Sequence, residues 1–216
     1  MIHYKPDIYI KDVFNKPYGL NYLPTLEPNI SDNCDCFKNY RSFRDGESDN
    51  SLKVLELVTE VVQKAPMNIL EIGVSLYDRE WTMSNRLTGY KDYNSKYVGI
   101  DTQNREHVKN WGTNSYFYQI NSREFDIVKC RLNQLLGIYS LGLLVIDGDH
   151  SLNGILADWK YVELLDKKGY ILIHDSNTHP GPIALIEAID RKIFNVEEPL
   201  KNNEDHGIAL ISYKDK

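Results

Sequence analysis

The sequence predicts an α/β fold in which a doubly wound, mostly parallel sheet of seven strands carries helices on both faces. Short apolar runs alternate with segments of helical period, and two of the runs, Leu143–Ile146 and Tyr170–Ile173, are apolar throughout. Alternating strands and helices indicate a parallel sheet covered on both sides. A strand that is buried on both faces has no need of the polar–apolar alternation seen in half-exposed strands.

The predicted strands share a length of five to seven residues and an apolar centre. They are Asn68–Gly73, Tyr97–Asp101, Ser115–Ile120, Leu141–Asp147, Gly169–Asp175, Phe194–Glu198 and Gly207–Tyr213. The last two are separated by a polar loop, Lys201–His206, and this pattern predicts a closing hairpin.

Helical periodicity fills the segments between the strands. Leu52, Leu55, Val58 and Val62 recur at spacings of three and four residues. Further helices are predicted over Ser122–Leu136 and Leu152–Leu165, the first of them capped by Ser122.

Residues 1–47 are unlike the rest, because they are rich in Pro, Asn, Asp and Tyr and lack a sustained helical period. They predict an irregular arm, which is either a lid over a substrate or a structural wrap with no ligand contact. Residues 48–216 then form the α/β domain, a size that buries a core without disulfides.

Composition and charge limit the classes of molecule that the protein is expected to bind. A hydrophobic fraction of 42% and a charged fraction of 26% are typical of soluble globular proteins. The formal charge of −6 and the lack of a basic run argue against nucleic acid. No apolar run is long enough to span a membrane, and three cysteines without framework spacing indicate a reducing compartment. We therefore expect a cytoplasmic protein, and a homo-oligomer stays open.

Ligands of doubly wound sheets bind beyond the carboxyl ends of the strands. Five predicted strand ends are polar: Glu71-Ile72-Gly73, Asp101, Asn121-Ser122, Asp147-Gly148-Asp149-His150 and His174-Asp175-Ser176-Asn177.

The first two ends are suited to a nucleoside. A carboxylate at Asp101 can accept hydrogen bonds from ribose hydroxyls, and Gly73 lets a ligand approach the backbone. A dinucleotide would need a glycine-rich turn for its pyrophosphate, which Ser75–Glu80 lacks. Alternatively, Glu71 organises local backbone N–H groups and Asp101 caps a turn or helix.

These residues resemble the first motif of class I S-adenosylmethionine-dependent methyltransferases, and the resemblance spans residues 51–213. Glu71 and Gly73 match the motif, while Ser75 and Tyr77 stand where further glycines are expected. The resemblance implies S-adenosylmethionine as cofactor and makes residues 48–216 a methyltransferase domain of Rossmann-like fold. The implied cofactor-binding residues are Glu71, Gly73, Ser75, Asp101, Asn121, Ser122 and Asp147. For Ser122, a helix cap is an equally good explanation.

The last two of the five polar strand ends predict a second group of site residues. Asp147 and Asp175 end neighbouring strands, and two carboxylates so close repel unless a proton or a cation lies between them. Mg²⁺ is bound by such oxygens. His150, three residues after Asp147, is the candidate general base, because a neutral imidazole accepts a proton near pH 7. Alternatively, Asp149 and Ser151 only cap the next helix.

This second group resembles metal-dependent O-methyltransferases, including those for sugars and macrolides and the cephalosporin-hydroxylase-like group. Asp147, His150 and Asp175 match, whereas His174 stands where the family usually carries Glu and Ser176 where catechol-type members carry Asn. The resemblance implies metal ligands Asp147, Asp175, His174 and Ser176, with Mg²⁺ as the expected ion. Because imidazole is a softer ligand than carboxylate, His174 also opens the site to transition metals.

The resulting hypothesis is metal-assisted O-methylation of a hydroxyl on a small molecule or sugar. Two alternatives stay open: a metal-dependent hydrolase, and a relative that binds a nucleoside or a partner without catalysis. His179 could line the substrate mouth, and His206 is predicted to be a surface residue.

Overall fold

The computed structural model describes the sheet, most of its connections and part of the N-terminal region. The described residues are 18–26, 53–54, 56, 68–76, 82, 84, 87, 95–112, 114–136, 141–201 and 206–214. The cysteines at 34 and 36 and the region of the predicted helix cap at 50–51 lie outside them.

Within these residues, seven strands form one sheet in the order β3-β2-β1-β4-β5-β7-β6. They are β1 (Asn68–Ile72), β2 (Tyr97–Asp101), β3 (Ser115–Gln119), β4 (Leu141–Ile146), β5 (Leu165–His174), β6 (Phe194–Glu197) and β7 (Ile208–Tyr213). The predicted doubly wound, mostly parallel fold is confirmed.

Pairing is parallel from β3 to β5, and β7 pairs antiparallel with both β5 and β6. The strand order reverses between β1 and β4, which lie side by side in the middle of the sheet. This is the switch point at which doubly wound sheets open a ligand crevice. Because β7 runs against β5, its first residue, Ile208, pairs with the last residue of β5, His174.

Three α-helices have described bounds: α1 (Phe125–Leu136), α2 (Leu152–Trp159) and α3 (Pro180–Ala188). Two short 3-10 helices, Glu106–Trp111 and Lys160–Leu164, complete the connections. Among the described residues, every helix falls short of the length and apolar character that crossing a bilayer requires.

The core has two layers because successive side chains of a strand point to opposite faces of the sheet. Leu144 and Ile146 of β4 pack with the buried residues of α1, α2 and α3. Leu143 and Val145 pack on the other face, where Val54 belongs to the same apolar cluster.

Of the boundaries that differ from the sequence prediction, two shift the most. The segment predicted as one helix to Leu165 changes from α2 to a 3-10 helix at Lys160. β5 begins at Leu165 rather than Gly169, because Leu165 pairs with Leu141 before the register shifts. The extra residues bulge, and Asp166 Oδ1 accepts a 2.8 Å hydrogen bond from the Lys168 N–H in a local turn.

Residues 18–26, the described part of the predicted arm, lie against α2, α3 and β6. Leu20 bridges to Ile189 in antiparallel pairing. The Trp159 indole N–H donates a 2.8 Å hydrogen bond to the Tyr18 carbonyl. This part of the arm is thus held on the domain. Whether the arm covers a substrate stays a prediction.

Candidate active site

A cavity of about 520 Å³ opens at the carboxyl ends of β1, β2, β3 and β4. Its volume lies in the range of small-molecule sites. Six of the seven residues predicted to bind the cofactor line it: Gly73, Ser75, Asp101, Asn121, Ser122 and Asp147.

Gly73 shapes the floor of this cavity. Its φ of +83° lies in the left-handed region, and a Cβ there would lie 2.1 Å from the Asp147 carbonyl oxygen. The Asp147 N–H donates a 2.8 Å hydrogen bond to the Ile72 carbonyl, so the ends of β1 and β4 meet at this point. Only glycine tolerates both the conformation and the close approach.

Asp101 ties the turn after β1 to the end of β2. Its Oδ2 accepts a 3.1 Å hydrogen bond from the Val74 N–H, and its Oδ1 accepts a 2.7 Å bond from the Gln103 N–H. Arg105 Nε lies 3.7 Å from Oδ2. A carboxylate has about four acceptor positions, so Asp101 can hold the wall and still accept from a ribose hydroxyl.

Glu71 is the predicted cofactor residue that does not line the cavity. It is 1% exposed and accepts hydrogen bonds from the Tyr97 hydroxyl and, at 2.7 Å, from Ser84 Oγ. Ser84 Oγ in turn accepts a 2.9 Å bond from the Ser75 N–H. Burial, and next the Glu71 charge, raise the pKa of Tyr97 well above its usual value. Glu71 is thus linked to the backbone N–H of Ser75 through Ser84, and its contact with a cofactor stays a prediction.

At the β3 end, Asn121 and Ser122 line the cavity as predicted. Asn121 Oδ1 accepts a 3.0 Å hydrogen bond from the Arg123 N–H, and the Ser122 carbonyl accepts a 2.8 Å bond from the Tyr161 hydroxyl. The alternative of Ser122 as a helix cap is wrong, because α1 begins three residues later at Phe125.

The turn after β4 is fixed by the start of α2. Ser151 caps this helix by accepting a 3.0 Å bond from the Gly154 N–H, and Asp149 Oδ1 accepts one of 3.0 Å from the Ser151 N–H. Asp149 Oδ2 also lies 3.0 Å from Arg123. The capping role predicted for Ser151 is confirmed, while Asp149 binds the N–H of the capping residue and also lines the cavity beside Asp147.

Asp147 also belongs to a cluster of acids and imidazoles beside the cavity. Its Oδ1 lies 3.3 Å from His150 Nε2 and 3.1 Å from His174 Nδ1. Asp175 faces the same two imidazoles, with Oδ2 3.3 Å from His150 Nε2 and Oδ1 3.3 Å from His174 Nδ1. The ends of β4 and β5 therefore lie side by side, as predicted, and the same two imidazoles contact both carboxylates.

Two more imidazoles approach Asp175. His206 Nδ1 lies 3.2 Å from Oδ1, and His179 Nε2 lies 3.6 Å from Oδ2. The prediction of His206 as a surface residue holds in part, since its side chain is 37% exposed, but its Nδ1 faces Asp175 because the antiparallel β7 starts at the edge where β5 ends. The signal that could have placed it is Gly207 immediately before an apolar run.

Local backbone conformation holds this arrangement. Asp175 is a non-glycine residue with a positive φ of 56°. The N–H groups of Ser176 and Asn177 donate to the carbonyls of Gly207 and His206, at 3.2 and 2.8 Å. Such strained residues persist where the surroundings fix them, and they cluster at functional sites.

The cluster perturbs the titration of its members. Burial, the largest single influence, opposes ionisation of Asp147 and Asp175, but the charge of His174 and the hydrogen bonds from the surrounding imidazoles together lower the pKa of both, that of Asp175 well below its usual value. Burial alone would lower the pKa of His150, but the hydrogen bond to Asp147 reverses this and raises it. Burial, then the charge of His150, lower the pKa of His179.

Ser176, the remaining predicted ligand, lies at a different place. It lines a second cavity of about 330 Å³, together with Asn177, Glu187, Arg191 and others. The acidic and imidazole side chains that could jointly hold an ion form two sets, Asp147 with His174 and Asp175, and His150 with Asp175 and His179.

The three residues of the first set decide which cation fits. Asp147 and Asp175 offer carboxylate oxygens, and His174 offers a nitrogen, with the ligand atoms all within 4.8 Å of one another. Mg²⁺ prefers oxygen ligands in octahedral geometry. The residues therefore fit a divalent cation, but they depart from the all-oxygen set that magnesium prefers.

Asp158 is a buried acid that the sequence analysis did not identify. It lies on α2, is 0% exposed, and its Oδ2 would be 3.2 Å from a Cβ placed on Gly148. Burial raises its pKa from 3.8 to about 7. Among the described residues, neither of its carboxylate oxygens has a hydrogen-bond partner of good geometry.

Comparison with known proteins gives matches in structure alone, since no protein-family model and no curated protein matches the chain. CalS11, a TDP-rhamnose 3'-O-methyltransferase of calicheamicin biosynthesis, matches with TM-score 0.59 and 16% identity over 78% of this chain and 82% of its own. MycE, a methyltransferase of mycinamycin biosynthesis solved with Mg, SAH and mycinamycin VI, matches with TM-score 0.55 and 16% identity over 76% of this chain and 49% of its own.

An rRNA methylase from Streptococcus thermophilus matches with TM-score 0.51 and 12% identity over 77% of this chain and 97% of its own. The chain spans about half the length of MycE. These likenesses show that the chain has the Rossmann-like methyltransferase fold.

Proposed function

We propose that the protein is an S-adenosylmethionine-dependent methyltransferase that methylates a hydroxyl oxygen. One observation carries this proposal: Asp147 lines the 520 Å³ cavity and also belongs to the cluster with His150, His174 and Asp175. A nucleoside cofactor in the cavity would thus present its reactive end next to groups that can bind and deprotonate an acceptor. Structural neighbours that are methyltransferases support the proposal through their fold.

In this proposal Asp101 accepts hydrogen bonds from the ribose, and Gly73 and Ser75 leave room for the amino-acid end of the cofactor. The acceptor oxygen attacks the methyl carbon, the carbon–sulfur bond breaks, and sulfur keeps the electron pair. His150 takes the hydroxyl proton, and Asp147 and Asp175, each 3.3 Å from its Nε2, stabilise the imidazolium that forms. Alignment of oxygen, carbon and sulfur contributes more than proton transfer, because effective molarities reach about 10⁵–10⁸ M.

The two carboxylates also suit a divalent cation, with His174 as third ligand. Such an ion would lower the pKa of an acceptor hydroxyl and orient it.

We further propose that the acceptor is a small molecule or a sugar rather than RNA. The formal charge of −6 opposes a phosphate backbone. Among the structural neighbours, CalS11 is described as acting on TDP-rhamnose, and MycE was solved with mycinamycin VI.

Calorimetry with S-adenosylmethionine and S-adenosylhomocysteine tests the cofactor assignment. We expect both to bind, and Asp101→Asn to weaken them about 10-fold or more, because hydrogen bonds to a charged acceptor contribute about 1.5–3 kcal/mol. Glu106→Gln is the matched control, since Glu106 is an exposed carboxylate paired with Lys109 outside the cavity lining. If the wild-type protein binds neither ligand, the methyltransferase proposal is wrong.

A metal-dependent hydrolase is the second candidate function. The observation that favours it is the number of imidazoles around Asp175, since His179 and His206 add to His150 and His174. Metal-dependent cleavage of a chromogenic phosphoester, without any binding of S-adenosylhomocysteine, would support this function over methyl transfer.

A further inference from the structure

We infer that Asp147, His174 and Asp175 form a site for a transition-metal ion that binds imidazole, in preference to Mg²⁺. The inference deepens the proposed function, on which it rests only for the use of the ion, namely to orient the acceptor. The binding preference itself follows from the residues at the β4 and β5 ends.

The spacing of the three ligand atoms suits one ion. His174 Nδ1 lies 3.1 Å from Asp147 Oδ1 and 3.3 Å from Asp175 Oδ1. Metal bonds to imidazole and carboxylate are about 2.0–2.2 Å long, so ligand atoms at 90–109° around an ion lie roughly 3.0–3.5 Å apart. Both measured distances fall in that interval, and little movement is needed to admit an ion.

His174 cannot readily leave this position. It is the last residue of β5, its backbone is paired with Ile208, and its side chain is 9% exposed. Any cation between Asp147 and Asp175 therefore meets a nitrogen ligand. Imidazole suits Zn²⁺, Fe²⁺, Ni²⁺ and Cu²⁺, whereas Mg²⁺ dehydrates reluctantly and favours oxygen.

The other imidazoles are better placed to orient the ligands than to bind the ion. His206 Nδ1 lies 3.2 Å from the same Asp175 oxygen that faces His174, as a hydrogen-bond donor to a metal-binding carboxylate would. His150 and His179 form a second set of potential ligands with Asp175, whose ligand atoms also lie within 4.8 Å of one another. The two rings, however, stack with centroids 4.5 Å apart and planes inclined by 22°. Nitrogen lone pairs lie in the ring planes, so two nearly parallel stacked rings converge poorly on one ion.

His174 and His150 thus have different roles in the site. His174 completes the metal site from the end of β5, and His150 keeps Nε2 directed at both carboxylates from the turn after β4. Asp175 has a positive φ of 56°. Its Oδ2 faces His150 and its Oδ1 faces His174, so each oxygen contacts a different imidazole.

Metal titration of untagged, chelator-treated protein tests the inference. Co²⁺ is followed by its visible absorption, and Zn²⁺ and Mg²⁺ by competition against it. We expect a single Co²⁺ or Zn²⁺ per chain, bound at least about 100-fold more tightly than Mg²⁺. His174→Glu should weaken Co²⁺ binding about 10-fold or more and strengthen Mg²⁺ binding, because it restores an oxygen ligand. His107→Gln, which removes an imidazole from the 3-10 helix after β2, should change neither affinity.

Equal affinity of the wild-type protein for Mg²⁺ and Co²⁺, or unchanged metal preference in His174→Glu, would overturn the inference. If His174→Glu does not fold, pulsed EPR of Cu²⁺ decides the question in a variant with His150, His179 and His206 each replaced by Ala, which leaves His174 as the imidazole beside Asp147 and Asp175. A coupled imidazole nitrogen supports His174 as ligand, and its absence contradicts it. Calorimetry with S-adenosylhomocysteine on the same samples keeps the outcomes apart, since failure of the methyltransferase proposal removes cofactor binding and leaves metal preference intact.

Discussion

Replacing Asp158 by Asn should stabilise the protein at neutral and alkaline pH. Asp158 is fully buried on α2 behind the β4 turn, and burial raises its pKa from 3.8 to about 7. Between these two values the unfolded chain has lost the carboxyl proton while the folded chain retains it. Stability therefore falls as the pH rises from about 4 to about 7, and it stays reduced above that.

The size of the effect follows from the shift. Each pKa unit corresponds to 1.36 kcal/mol, so the buried carboxylate costs up to about 4 kcal/mol of folding free energy above pH 7. Asn keeps the shape of the side chain and carries no charge at any pH. The variant should match the wild-type protein near pH 4 and exceed it at pH 8 by up to that amount, which corresponds to about 10 °C in Tm for a chain of this length.

Thermal and urea unfolding of both proteins at pH 4, 6 and 8 provide the assay. The informative quantity is the difference between variant and wild type at each pH, because other groups also titrate. Asp126→Asn, at an exposed position in the first turn of α1, is the control and should show no comparable gain at pH 8. A difference for Asp158→Asn that stays constant from pH 4 to pH 8 would refute the reasoning.

Three further substitutions probe the site and the arm. Gly73→Ala should lower the free energy of unfolding in urea by about 3 kcal/mol or more, because its Cβ would lie 2.1 Å from a backbone oxygen at a positive φ; a loss below about 1 kcal/mol would contradict this. His150→Ala should slow methyl transfer about 10²–10⁴-fold with the Kd for S-adenosylhomocysteine unchanged, and unaltered turnover would exclude His150 as the base. Trp159→Phe should cost about 1–3 kcal/mol by removing the bond to the Tyr18 carbonyl, with faster amide exchange at Asn21; equal exchange in both proteins would show that the bond does not anchor the arm.

The sequence was sufficient to predict the sheet, because apolar strands that are buried on both faces are distinctive. Six of the predicted cofactor residues line one cavity because the parallel strands β1 to β4 all end at one edge of the sheet. Asp147 and Asp175 meet because β4 and β5 are neighbours.

What the sequence could not show depends on chain reversals and on local conformation. His206 lies near Asp175 only because β7 is antiparallel to β5. The sequence of the polar loop before β7 does not indicate which strand β7 pairs with, or in which direction. Glu71 ends a strand like Asp101, yet its side chain points to Tyr97 and Ser84, and strand position alone does not reveal this. Ser176 follows a residue with positive φ, so its side chain lies apart from the neighbouring acids.

The reversed direction of β7 has a consequence for how such a site can change during evolution. The connection between β6 and β7 brings His206 and Gly207 to the edge where Asp175 lies, whereas the 520 Å³ cavity is built from β1 to β4. Insertions, deletions and substitutions in that one hairpin connection can alter the surroundings of Asp175 without shifting any parallel pairing. Under the proposed function, diversification of the ion or of the acceptor is thereby uncoupled from the part of the fold proposed to hold the cofactor.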